Sequence, residues 1–188
     1  MIEFLKALHN FVWPDTWVAV FPLLALTPTP LALATAVLFV WSLAPAFKGQ
    51  VGAGFLGWLR LTWALTLLPA VTGIILAVSG GKVASAVPVD LATLPQWCQD
   101  AAAQAGLEQV TRYCQPVDPP RDLEHWMYTG FTVLSLLAVE ALARDRWNGE
   151  FLGVNIGLKL LPVITLFLAG CVYMIGRVAV WPGNSAGA

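Results

Sequence analysis

Charge is what this 188-residue chain has least of: only 11% of its residues are Asp, Glu, Lys or Arg, against roughly 25% in soluble globular domains. What charge there is leaves four stretches empty, residues 16–47, 61–81, 125–139 and 160–176. Apolar runs of about 20 residues are what cross a hydrocarbon layer of roughly 30 Å as helices, so the gaps predict a polytopic membrane protein. The scarcity of Lys and Arg, ten in all with a net charge of −1, excludes a nucleic-acid surface. The runs show no alternation of period two, which excludes barrel strands and leaves α-helices.

Histidine and cysteine are equally sparse. His9 falls in an N-terminal segment and His125 at the end of a span, so neither is expected inside a span opposite the other, and a haem held by two axial histidines is not expected. His/Cys/carboxylate spacing for zinc, a phosphate-binding glycine loop and a serine nucleophile elbow are all missing. No catalytic residue, cofactor or metal is therefore expected. Of the three cysteines, Cys98 and Cys114 share one loop, and no vicinal Cys-x-x-Cys pair exists to pass electrons onward as disulfide-generating four-helix membrane enzymes require. Cys171 lies within an apolar run and reads as a small packing residue.

What is present reads as an all-α, polytopic membrane protein: one membrane domain, 1–188, with four transmembrane helices in two hairpins, an N-terminal interfacial helix and a disulfide-closed extracytoplasmic helical loop. Thr29 before Pro30 is an N-cap with proline at the first helical position, which starts the first span at 29–47. The others are expected at 53–80, 126–143 and 151–180. Residues 1–26 form an interfacial segment, because Phe4, Leu5, Leu8, Phe11 and Val12 share a face opposite Glu3, Lys6, His9 and Asn10. Pro28 and Pro30 cut 16–26 off from the first span, and the fused alternative is a fifth crossing. Met1 is read as the mature start.

Lys48, Arg60, Arg144, Arg146 and Lys159 gather at the short turns, so the positive-inside rule puts those turns in the cytoplasm. Both termini and the loop at 82–124 are then extracytoplasmic, in a bacterial-type plasma membrane or a photosynthetic membrane. That loop holds three basic and six acidic residues. It lies in an oxidising compartment, which agrees with a structural Cys98–Cys114 disulfide. A continuous helix would hold those two residues about 24 Å apart, so the bond demands a reversal, placed at Gly106 between short helices at 95–105 and 107–113.

Three further patterns bear on function. Gly153 with Gly157 forms a Gly-x-x-x-Gly pair, and Gly73 with Ala77 a weaker one, both read as helix-packing surfaces. Phe55-Leu56-Gly57 before Leu67-Leu68-Pro69 is echoed by Phe151-Leu152-Gly153 before Leu160-Leu161-Pro162, an echo that either reflects a duplicated hairpin with a proline kink in each copy or follows from the abundance of these residues in membrane helices. Arg60, Glu140 and Lys159 fall at similar depth and form a candidate intramembrane charge cluster. The competing reading has the two cations snorkelling to the headgroups and Glu140 paired with Arg144.

The function these features suit is a noncatalytic integral membrane protein, a subunit or assembly factor of a larger membrane complex. Its partners would be membrane lipid and protein chains, or further copies of itself, bound through helix faces and loop 82–124. The alternative is a small transporter or lipophile-binding protein with a cavity between the second and fourth spans. A quinone-touching oxidoreductase subunit comes third, since Trp58, Trp63 and Tyr173 supply aromatic surface without an electron carrier.

Overall fold

The structure, a computed structural model, describes residues 1–144, 150–151, 154–155 and 157–183. Two short helices, α1 (Ile2–His9) and α2 (Asp15–Val20), precede α3 (Pro30–Lys48) and α4 (Ala53–Val78). Helix α5 (Gln96–Gln104) lies in the long loop before α6 (Arg121–Ala143), and α7 (Leu161–Val180) closes the chain. Helices α3, α4, α6 and α7, the last with its preceding 3-10 turn, are long and apolar enough to cross a membrane. This is the architecture of a multi-pass membrane protein. Residues 15–26 form α2 and a 3-10 turn, Pro22–Leu26, neither long enough for a fifth crossing.

Local chemistry sets the first span. The Thr29 side chain accepts a hydrogen bond from the Ala32 N–H at 3.1 Å, and Pro30 follows where an N–H would have no partner. Gly49 ends the helix in the left-handed conformation, φ 69°. Two other boundaries differ from expectation. Helix α6 begins at Arg121 instead of residue 126, because Pro119 and Pro120 stop the loop there and Asp122 and Glu124 suit the positive end of a helix dipole. Helix α7 begins at Leu161, not 151. Before it, Glu150–Phe151 pairs antiparallel with Val154–Asn155, and a 3-10 turn covers Gly157–Leu160.

The late start of α7 removes the expected kink at Pro162. That proline stands in the first helical turn, where it costs no hydrogen bond, whereas Pro69 lies inside α4. The hairpin echo fails with it: Phe55 is on a helix, Phe151 is in a strand, and Leu152 and Gly153 lie outside the described residues.

Helix α3 packs between α4 and α7, and α7 packs on both α3 and α6, while a smaller α4–α6 contact closes the ring. Leu38, Phe55, Leu59, Leu136, Leu161 and Leu168 form the centre of the core. Most buried hydroxyls inside the bundle bond to neighbouring carbonyls without charge, while the buried Trp63 Nε1 has no hydrogen-bond partner among the described residues. Thr35, Thr62, Thr66, Thr132 and Thr165 each donate to the carbonyl four residues back. Ser42 Oγ meets Thr165 Oγ1 at 2.9 Å between α3 and α7, and Trp58 Nε1 donates to the Ala34 carbonyl at 2.9 Å between α4 and α3.

Candidate functional site

The end of the bundle that carries the long loop, here the loop end, is held by a buried polar knot. Asp118, fully buried, accepts from the Gly183 N–H at 2.5 Å, and its own N–H donates to the Ser85 carbonyl at 2.9 Å. Ser85 Oγ donates to the Val178 carbonyl on α7 at 2.5 Å, and Asp122 accepts from the Val83 N–H at 3.0 Å. Arg121, also buried, pairs with Glu124 and lies 3.6 Å from Asp118. The loop is thereby fastened to α6 and α7 at several points.

Outside the knot the loop has its own small core. Cys98 and Cys114 are joined by a disulfide with Cα atoms 5.7 Å apart, and Cys98, Ala102 and Val110 are buried together against Leu91, Leu94 and Leu107. The expected reversal at Gly106 is present. Gly106 takes φ 65°, its N–H donates to the Ala103 carbonyl and the Leu107 N–H to that of Ala102, the paired bonds that close a helix C-terminus. The expected second helix at 107–113 is not there. Val110 instead bridges Val89 and Pro116, and the Cys114 N–H donates to the Thr111 carbonyl in a turn, which lets fully buried Val110 plug the cluster.

This framework presents aromatic side chains to the surroundings. Trp97 is 66% exposed and Tyr113 is 42% exposed, and each precedes one half of the disulfide. Consecutive Cα atoms are about 3.8 Å apart, so their backbones lie within about 13 Å of each other. Arg112 stacks over the Tyr113 ring at 4.8 Å and donates to its hydroxyl at 2.8 Å. Asp90, Asp100 and Glu108 are exposed on the same loop.

The residues singled out from the sequence are distributed differently. Glu140 pairs with Arg144 at 2.8 Å, while Arg60 and Lys159 are exposed; among the described residues no ion pair joins Arg60, Glu140 and Lys159. Gly157 opens the 3-10 turn with φ 27° instead of standing on a helix face, and Gly153 is outside the described residues. Gly73 does mark a close approach, but to a ring: a Cβ there would stand 2.8 Å from Cε1 of His9. Ala77 lies half-buried on the same helix. Cys171 is a buried free thiol. A cavity of about 360 Å³ opens at the α3–α4 turn, lined by Trp41, Pro45, Lys48, Gln50, Val51 and Phe55, away from the α4–α7 position expected for a lipophile site.

Sequence reasoning missed one juxtaposition. Helix α1 packs along α4, His9 Nδ1 reaches the Pro69 carbonyl at 2.8 Å, and the ring lies 6.3 Å from that of His125. The chain's two histidines therefore lie close together, His9 on α1 outside the candidate spans and His125 on α6, a contact the sequence did not announce. They are 116 residues apart, and no local pattern announces a contact that depends on where α1 docks.

Fold and sites define a multi-pass helical membrane protein with a disulfide-closed loop clamped to one end of its bundle. Comparison with family models, curated proteins and solved structures finds no match to the chain.

Proposed function

We propose that the protein is a noncatalytic integral membrane protein, serving as a subunit or assembly factor of a larger membrane complex and docking through the loop at 82–124. The observation that carries this reading is the exposed Trp97, Arg112 and Tyr113 set on a backbone already fixed by the disulfide. Trp, Tyr and Arg dominate binding energy at protein interfaces, and a surface ordered before binding loses little entropy on association. The exposed acids Asp90, Asp100 and Glu108 favour a partner with basic groups around its contact.

The test is purification in mild detergent, with mass spectrometry of the eluted peak, for the wild type and a Trp97→Ala/Tyr113→Ala variant. Deleting the loop is less informative, because it removes the Asp118 and Ser85 clamps. A partner chain should co-elute stoichiometrically with the wild type and be lost from a variant that is monodisperse and retains its disulfide. A wild-type chain that elutes alone, or a variant that keeps the partner, overturns the reading.

A further inference from the structure

We propose that His9 and His125 form a two-histidine binding site for a monovalent d10 cation, with copper(I) as the biological class. A backbone carbonyl only accepts, so the 2.8 Å contact of His9 Nδ1 with the Pro69 carbonyl places the proton on Nδ1. The 3.3 Å contact of His125 Nδ1 with the Ile175 carbonyl does the same for the second ring. In the neutral form of each ring Nε2 then carries the free lone pair, and among the described residues neither Nε2 has a protein partner. Metal-binding histidines are arranged this way: the far ring nitrogen donates to a carbonyl or carboxylate, fixing tautomer and ring orientation.

The spacing leaves room for one ion between the rings. With each Nε2 turned to a shared metal about 2.0–2.1 Å away, the metal lies about 3.2 Å from each ring's centre, and two imidazoles in near-linear coordination have centres about 6.4 Å apart. The observed separation is 6.3 Å, with the rings tilted by 54°. The donor set also selects the ion. Among the described residues no group of three or more His, Cys, Asp or Glu gathers anywhere, whereas zinc takes three or four such ligands and calcium and magnesium take oxygen. Imidazole suits copper, and a d10 monovalent ion accepts two ligands in a line. Room for the arrangement comes from Gly73, since any side chain there would meet the His9 ring.

The experiment titrates Ag⁺, a redox-inert stand-in for copper(I), into the full-length protein in detergent. A chloride-free buffer without reductant leaves the Cys98–Cys114 bond intact, and a Cys171→Ser background removes the free thiol. One Ag⁺ should bind per chain, with affinity reduced at least about 100-fold in His9→Gln and in His125→Gln, beyond the 10–100-fold typical of losing a supporting residue. Gly73→Ala, which leaves both imidazoles in place but displaces His9, should weaken binding about 10-fold. Histidine-selective ¹⁵N spectra of the unmutated site should show Nδ1–H tautomers without metal and a shift confined to Nε2 with it. Absence of stoichiometric binding to the unmutated site, or unchanged affinity in either histidine variant, overturns the proposal without relying on a variant that misfolds.

Discussion

Asp118 and Thr165 are both fully buried, yet they carry very different weight. Thr165 has three outlets, the Leu161 carbonyl at 2.7 Å, the Pro162 carbonyl at 3.2 Å and Ser42 at 2.9 Å, so Ser42→Ala leaves it satisfied. Hydrogen bonds of this kind between membrane helices average about 0.6 kcal/mol. Asp118 is a buried charge where Thr165 is neutral: it accepts from the Gly183 N–H and faces buried Arg121, whose other carboxylate partner is Glu124. Removing one member of a buried ion pair costs about 3–5 kcal/mol because the other charge stays buried. Asp118→Ala should fall near the low end of that range, since Glu124 stays, and Asp118→Asn should cost less because an acceptor survives. Tryptophan fluorescence followed through thermal unfolding in detergent checks this: a marked fall in midpoint for Asp118→Ala and almost none for Ser42→Ala. Equal midpoints for the two variants would refute the ranking.

At the scale of elements, the loop and the bundle are separate packing units joined by the polar knot. The disulfide closes a segment with a sequence separation of 16, for which chain entropy predicts about 3 kcal/mol of stabilisation. Its effect should be local, because Cys98 packs with Ala102 and Val110 and not with the bundle core around Leu38 and Leu136. In a Cys98→Ala/Cys114→Ala variant, hydrogen exchange should quicken at the Val89 and Thr111 amides, which hold the bridge and the turn, while amides in α3, α6 and α7 keep their protection. Uniform loss of protection would show that the two units fold as one.

The same division explains what was legible beforehand. The start of α3 could be read because Thr29 and Pro30 act on their own neighbours, and the turn at Gly106 because only a reversal lets the cysteines meet. The start of α7 could not, since apolar composition around Phe151 is as compatible with a strand as with a helix. Nor could the histidine contact, or the bridging of Val110 in place of a helix, because both are decided by long-range packing.

For the whole molecule, the charge at its two ends bears on which way the bundle sits. Lys48, Arg60, Arg144 and Lys159 lie at the turn end, but Lys6, Lys82, Arg112, Arg121 and Arg177 lie toward the loop end, so a bare count of cations does not orient it. Two physical arguments favour one orientation. Cations beside short turns govern insertion, whereas those in a long loop count less. Independently, disulfides such as Cys98–Cys114 persist mainly in oxidising compartments, and the orientation we propose on both grounds has the loop end outside the cytoplasm. Trp13 ties the N-terminal segment to the start of α3 through the Thr27 and Pro28 carbonyls, so Asp15 belongs to the loop end, while Gln50 sits in the α3–α4 turn. Both are exposed. A membrane-impermeant maleimide added to intact cells should therefore label Asp15→Cys at once and Gln50→Cys only after permeabilisation, with Cys171→Ser as the background. The reverse pattern would place the disulfide in a reducing compartment and overturn both arguments together, while labelling at both positions from outside would mean that the chain does not cross the membrane as two hairpins.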